Sequence, residues 1–238
     1  MNRAHEVPTI ERWCASLACC DPLWEEAYRR FESPAQETEK FRRRLLAVGA
    51  RNWPRESDIA ELFCGRGNGL RALASLGFER LSGVDLSEEL LASYTGPARL
   101  YLGDCRDLKL AAHSLDVVVV QGGLHHLPDP SDDLERTLTG VRRVLRPSGR
   151  LVIVEPWSTP FLTVVHALCR VGPARAVWGK LDALARMIER ERETYFRWLA
   201  QPEPILRVLR THFVPEREHI GWGKLTFVGT PRPDERRA

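Results

Sequence analysis

The sequence predicts an α/β protein built on a doubly wound, mostly parallel sheet of seven strands. Three observations predict it. Strand-like apolar runs alternate with helical patterns from residue 55 to residue 156, the signature of a parallel sheet with crossover helices. The run Asp116-Val117-Val118-Val119-Val120 is uninterrupted and β-branched, as a strand buried on both faces reads. The apolar run Ile59-Ala60-Glu61-Leu62 breaks into alternate glycines, Gly65, Gly67 and Gly69, and Leu70, Leu73, Ala74 and Leu76 then line a helix face.

That strand, glycine turn and helix organise the rest. Glycine inside a helix costs roughly 1 kcal/mol relative to alanine. Three glycines therefore point to positive φ or to a ligand pressed against the backbone. One would serve an ordinary tight turn; three in alternation favour a nucleotide-like ligand. The spacing is not the dinucleotide pattern G-x-G-x-x-G, whose third glycine would fall on Leu70. Nor is it a phosphate loop, since no Gly-Lys-Ser/Thr follows.

The second strand, Arg80–Val84, closes on Asp85. An acidic residue there accepts hydrogen bonds from ribose hydroxyls in nucleotide-binding units. The alternative, a helix cap, is already supplied by Ser87 with Glu88 and Glu89. The third strand, Ala98–Leu102, precedes Gly103-Asp104-Cys105. The fourth runs into Gln121-Gly122-Gly123-Leu124-His125-His126-Leu127-Pro128-Asp129. Histidines at the carboxyl end of a central strand lie where open α/β sheets bind ligands. Two adjacent ones cannot both point the same way from a strand or tight turn, so one is expected to face the site and the other to pack. Two loop histidines without chemistry are the alternative. Ser131 is read as the cap of a helix with apolar face Leu134, Leu138, Val141 and Leu145. Pro147-Ser148-Gly149 then turns the chain into a fifth strand, Arg150–Glu155.

Glu61 with Gly65, Gly67 and Gly69 resembles motif I of the class I methyltransferases that use S-adenosylmethionine. The turn Gln121–His126 resembles the ubiquinone-biosynthesis-like branch, which acts on small molecules, and the stretch Val144–Leu151 looks like a late methyltransferase motif. The resemblance spans roughly residues 55–156. It implies a seven-stranded Rossmann-like methyltransferase fold that binds S-adenosyl-L-methionine. The loop residues Cys64, Gly65, Arg66 and Gly67 would lie against its methionine and ribose, with Glu61 helping to hold the ammonium. Asp85 and Leu86 would serve the ribose, Asp104 and Cys105 the adenine, and Gln121 would complete the set. Asp107 is either a decoy for Asp104 or a turn residue. For a hydroxyl acceptor, His126 or His125 would be the general base, and His126 stands where the resembled motif keeps its histidine. Phe63 departs from the pattern, standing where many relatives carry a small residue or glycine; it would tilt the loop or narrow the pocket.

The activity implied is methyl transfer to oxygen or carbon of a small molecule. The rival readings are a catalytically silent cofactor-binding module, a nucleic-acid methyltransferase and a nicotinamide oxidoreductase. The glycine spacing disfavours the last. No Asn/Asp-Pro-Pro-Tyr/Phe motif follows strand four and no lysine/arginine stripe is concentrated, so no nucleic-acid partner is expected.

Residues 1–238 read as one domain, with the cofactor-binding core at 55–156. Residues 1–52 read as a helical cover or a plain brace. Ile10, Trp13 and Leu17 share one helical face, Trp24, Tyr28 and Phe31 another, and Ser33-Pro34-Ala35-Gln36 is a capping box. Residues 157–200 form a helical insertion longer than a crossover needs. They read as Phe161–Val171 and then one helix to about Ala200, with Trp178, Leu181, Ala185 and Ile188 on a stripe. The insertion is expected to be an acceptor lid, a homodimer interface, or both. Trp157, His166, Tyr195 and Trp198 would line an aromatic acceptor pocket or simply be core. Residues 201–230 read as a last helix and an edge hairpin, Phe213–Ile220 and Lys224–Val228, about Gly221-Trp222-Gly223. The tail Pro231–Ala238 is expected to be disordered.

The 238 residues are 43% hydrophobic and 28% charged, ordinary for a globular protein. A net charge of +3 is too small to argue for nucleic acid. Six cysteines without a C-x-x-C pair give no zinc or redox motif, so no metal is expected. No apolar stretch approaches the roughly 20 residues of a membrane span, and the first residues lack a signal-peptide core. The expected location is a reducing cytoplasm.

Overall fold

The computed structural model describes residues 9–15 and 22–233. In chain order the elements are β1 (Ile10–Arg12), α1 (Pro22–Phe31), α2 (Pro34–Ala47), β2 (Ile59–Leu62), α3 (Asn68–Ser75), β3 (Leu81–Asp85), α4 (Glu88–Ala92), β4 (Arg99–Leu102) and β5 (Leu115–Gln121). There follow α5 (Asp132–Val144), β6 (Leu145–Pro156), α6 (Pro160–Cys169), α7 (Gly172–Val177), α8 (Gly179–Arg190), α9 (Arg192–Leu199), α10 (Pro202–His212), β7 (Phe213–Gly221) and β8 (Lys224–Pro231).

The described strands form one sheet in the order β1-β4-β3-β2-β5-β6-β8-β7. Strands β1 to β6 pair in parallel, and β8 and β7 close the edge antiparallel. The order reverses between β2 and β5, so loops at their carboxyl ends flank the crevice where such sheets bind ligands. The valine run of β5 shows why the sheet is buried on both faces. Val118 and Val120 enter one core with α5 and α10, while Val117 and Val119 enter the other with α2 and α3. The period-2 alternation of a strand thus fills two layers from one run.

The sheet has eight strands where seven were expected. Ile10–Arg12, read as part of a helix, pairs in parallel with Leu100–Leu102 of β4. Free edge groups of β4 and the stacking of Trp13 on Tyr101, with centroids 4.5 Å apart, override the local helical pattern, as tertiary partners commonly do. Leu17, Cys19 and Cys20 lie outside the described residues, as does the tail from residue 234. Cys14 is half-buried.

Several local readings hold. Ser33 and Gln36 form the capping box of α2, and Ser87 caps α4 through Leu90 N. The hairpin turns at Trp222 and Gly223, both at positive φ (51° and 75°), the twist-compatible geometry for a two-residue turn. Others shift. Asp129, not Ser131, caps α5, its Oδ1 accepting from the amides of Ser131 and Asp132. Leu145 already belongs to β6, and the Pro147-Ser148-Gly149 turn is a register irregularity within that strand. The long helix expected over 172–200 breaks at Trp178 and Glu191 into α7, α8 and α9. Of its stripe, Leu181, Ala185 and Ile188 are buried, whereas Trp178 is 57% exposed.

Candidate active site

The glycine loop is built from below by Glu61. This side chain is buried one residue before the end of β2, and a Cβ at Gly69 would stand 1.7 Å from its Oε1, so only glycine lets α3 start there. Burial pushes the Glu61 carboxyl up to about 8, against the Gln121 hydrogen bond, which lowers it. Gln121 Nε2 lies 3.5 Å from Oε1, and Oε2 is buried with no hydrogen-bond partner. Gly67 is closed from behind by Tyr94, whose ring a Cβ would meet at 2.3 Å. Gly65, at φ 51°, has open space: no atom lies closer than 4.0 Å to a built Cβ.

Asp85 ties this loop to β3. Its Oδ2 accepts from Gly65 N at 2.7 Å and its Oδ1 from Ser87 N at 2.9 Å. Burial raises its pKa, and those amides pull it back. At the next strand end, Asp104 is gripped by the Arg106 guanidinium at 2.7 Å, and Arg106 also reaches Asp133 at 3.1 Å. Burial opposes, but the Arg106 bonds win and hold this carboxyl below its ordinary range. Asp107 is exposed and paired with Lys109 at 2.5 Å, a surface turn. Trp13 covers this end: a Cβ at Gly103 would meet its ring at 2.4 Å.

Three predicted cofactor residues can contribute only backbone or packing. The Arg66 guanidinium turns outward to Glu25 of α1 at 2.6 Å. Cys64 points into the sheet, its Sγ filling the space above Gly83. Cys105 lies in the core. Burial raises both thiols, which makes them inert. Leu86 is half-buried beside Asp85. The N-terminal helices reinforce the loop, with Glu37 of α2 accepting from Asn68 Nδ2 at 2.6 Å.

The second half of the site gathers around Glu155, which the sequence showed only as the end of a strand. It is buried; its Oε1 accepts from Gly123 N at 2.7 Å and Leu124 N at 2.8 Å, and its Oε2 pairs with His125 Nδ1 at 2.7 Å. A buried acid at the end of a neighbouring strand thus shapes the β5 turn and fixes one imidazole, leaving its Nε2 free to act. Burial disfavours the charged ring, but the Glu155 hydrogen bond and charge prevail, and the His125 pKa is raised. The two histidine rings do not diverge as expected. A single 3₁₀ turn, Leu124–His126, brings their centroids to 4.1 Å. Burial and the His125 charge push His126 well below an ordinary imidazole, although its side chain is 39% exposed and water relieves part of that. Its Nδ1 stands 3.3 Å from Glu191 Oε2, and Trp24 meets its edge. His125, His126 and Glu191 bring potential metal-ligand atoms within 4.8 Å of one another.

The aromatic residues of the insertion divide. Trp157 and Trp198 are core, Trp198 donating to the Pro156 carbonyl at 2.9 Å. Tyr195 instead lies edge-on to His125, with its hydroxyl 3.1 Å from His166 Nε2.

An orphaned buried carboxylate oxygen beneath glycines, with two more carboxylates at the next strand ends, suits a ligand with an ammonium, a ribose and an adenine. Residues 60–153 match the methyltransferase domain family. These matches support a class I S-adenosylmethionine-dependent methyltransferase over that segment. The chain is 32% identical over 89 residues to the ubiquinone/menaquinone biosynthesis C-methyltransferase UbiE of Geotalea daltonii, covering 34% of this chain and 36% of that one. It is 31% identical over 119 residues to a dTDP-3-amino-3,6-dideoxy-alpha-D-glucopyranose N,N-dimethyltransferase of Streptomyces fradiae, covering 49% and 46%. The chain spans between a third and about half of the length of these curated relatives. The crystal structure of the PH0226 protein from Pyrococcus horikoshii shares the fold, with a TM-score of 0.62 at 17% identity over 90% of this chain and all of that one.

Proposed function

We propose that this chain transfers a methyl group from S-adenosylmethionine to a small-molecule acceptor held between the Gly122–His126 turn and the helices α6, α8 and α9. The observation that carries the reading is the His125–Glu155 pair at the carboxyl end of the sheet, beside the glycine loop. The relatives, a ubiquinone/menaquinone biosynthesis C-methyltransferase and a dTDP-amino-sugar N,N-dimethyltransferase, support a small molecule as acceptor.

Glu61, the amides of Gly65 and Gly67, Asp85, and Asp104 with the Cys105 amide would hold the cofactor. Bound there, it supplies a methyl group on a cationic sulfur that leaves as a neutral thioether. The protein must then position the acceptor and exclude water. For an O–H acceptor, His125 Nε2 would take the proton while Glu155 holds Nδ1–H and steadies the imidazolium, the carboxylate–histidine logic of general-base sites. This assigns the base to His125 rather than the sequence-favoured His126, whose depressed pKa makes it the weaker base. Helices α1 and α8 pack together, and α1 reaches both Arg66 and His126, so the N-terminal helices and the insertion act as one cover.

The test is turnover across pH with S-adenosylmethionine and a responsive acceptor. A base must be neutral to act. With His125 the acid limb should therefore lie above 6.5, the ordinary imidazole value; with His126 it should lie below. His125→Ala should cut turnover by about 10²-fold or more with cofactor affinity nearly unchanged. Unaltered turnover in that variant would remove the base, and cofactor binding without transfer to any acceptor would leave a silent binding module.

A further inference from the structure

We propose that the acceptor pocket is built for an amphipathic anion: a flat apolar body carrying one carboxylate or phosphate group. The inference rests on the methyl-transfer reading for the ligand's role, though not for its binding.

A cavity of about 430 Å³ opens beneath α6 and α8, with Gly122, Glu155 and Pro156 on its sheet side. This places it against the turn that carries the two histidines. The volume suits a small molecule. Its walls are apolar, with the aromatic rings of Phe31, Phe161, Trp178 and Trp222 set among aliphatic side chains. Its charged lining is three cations, Arg44, Lys180 and Lys224, and a single carboxylate, Glu155. The oxygens of Glu155 are taken up by two amides and His125, so it pairs directly with none of the three, and its one charge is set against three. Arg44 lies over the Phe41 ring at 5.4 Å and Lys180 at 6.0 Å over Phe31. Arg44 and Lys224 make no ion pair among the described residues. The neighbouring Lys40 is spoken for by Glu32 and Glu37.

Like charges gathered at an apolar wall repel and lose water. Lys224 registers this: burial, then the charges of Arg44 and Lys40, push its ammonium down to about 8, with Glu32 opposing. Burial likewise lowers Arg44, against the pull of Glu32, Glu37 and Glu155. An anion seated between them would relieve both effects, and the aromatic walls would take its apolar body. A neutral ligand would add nothing to the partial compensation from Glu32, Glu37 and Glu155. The cations stand on α2, α8 and β8, three elements distant in sequence, so the cluster exists only in the folded chain.

The experiment is calorimetric titration of the full chain with naphthalene-2-carboxylate, naphthalene-2-carboxamide and 2-naphthyl phosphate, with S-adenosylhomocysteine titrated separately. One or both anions should bind at least about tenfold tighter than the amide, a difference worth one added charge-assisted contact. That preference should shrink in Lys224→Gln and in Arg44→Met, and should persist in Arg44→Lys. A tighter phosphate would place the natural anion among phosphate esters and a tighter carboxylate among acids; either supports the proposal. Equal binding of acid and amide, no binding of any probe, or an anion preference indifferent to Lys224→Gln and Arg44→Met would overturn it. Failure of S-adenosylhomocysteine to bind while the anion preference holds would instead sink the methyl-transfer reading and leave the anion pocket standing.

Discussion

The two halves of this site are made differently. The proposed cofactor half follows the strand ends: Asp85 closes β3 and meets amides of its own loop and of the β2 loop, Asp104 lies just past β4, and Glu61 stands one residue before the end of β2, beside Gln121. Glu61, Asp85 and Asp104 step across β2, β3 and β4 in sequence order. The acceptor half is assembled from distant pieces. Glu155 reaches back 30 residues to His125, and the cavity joins α2, α6, α8 and the β7–β8 hairpin. The first half is a frame of residues at the ends of neighbouring strands. The second is long-range packing, where a chain of this fold can differ in what it binds.

The largest test of that division is Glu155→Ala. It would strand two buried amides and an imidazole, and breaking a buried charged pair costs about 3–5 kcal/mol. Melting temperature should fall accordingly and turnover collapse. Glu155→Gln sharpens the point. It keeps an acceptor for the amides but removes the charge that raises His125, so the acid limb should move toward lower pH. An unmoved limb would separate Glu155 from the base.

Next in size is Asp85→Ala, the counterpart in the cofactor half. Losing hydrogen bonds to a charged acceptor costs about 1.5–3 kcal/mol, roughly ten- to a hundredfold in S-adenosylmethionine affinity. Binding of an anionic probe in the acceptor cavity should be unaffected. If both ligands weaken together, the halves are not separable.

The same division explains what could be read from the sequence. The glycine loop, Asp85, Asp104 and the β5 turn were legible because spacing, strand ends and turn residues are local. Side-chain direction was not: nothing in the sequence says that Cys64 points into the sheet or that Arg66 turns to Glu25. Glu155 looked like the last residue of an apolar strand, and its burial becomes visible only once β6 lies beside β5. Arg44 and Lys224 were anonymous surface charges until the fold brought them together. The strand Ile10–Arg12 was lost to a helical pattern because an edge strand three residues long carries almost no periodicity of its own. Trp178 was misplaced because the chain breaks there, where no local signal beyond Gly179 marks the end of α7.

A smaller effect separates the halves by protonation. Glu61 has its pKa raised to about 8 from an ordinary 4.5. A raised carboxyl favours the folded state below the ordinary value, and that contribution is lost as pH rises from about 4.5 to about 8. At pH 7 the free protein therefore holds Glu61 mainly neutral. A cofactor ammonium beside it would favour the carboxylate, so binding should expel up to about one proton. Calorimetry in two buffers of different ionisation enthalpy reads this directly, and Glu61→Gln should abolish it. Buffer-independent heats in the unaltered protein would remove Glu61 from ammonium binding. Anionic probes in the acceptor cavity should release no such proton.

The smallest expected change falls on the residue that joins the halves. Phe63 sits in the glycine loop at φ 55°, and a Cβ at Gly123 would come within 2.3 Å of its ring. It therefore presses the cofactor loop against the turn that carries the histidines. A bulky residue at positive φ stores about 1–3 kcal/mol of strain, while burying an aromatic side chain fully returns roughly 1.5–3 kcal/mol. Phe63 is only half-buried, so the two terms nearly cancel. Phe63→Gly should leave the melting temperature within a few degrees of the original, a net change of about 1 kcal/mol or less. What should change is communication. With Phe63 in place, S-adenosylhomocysteine and a naphthalene carboxylate should alter each other's affinity equally, as linkage requires; with glycine there, the two should bind independently. A melting temperature many degrees lower would mean that Phe63 is a packing residue, and coupling preserved in Phe63→Gly would show that the halves are joined elsewhere.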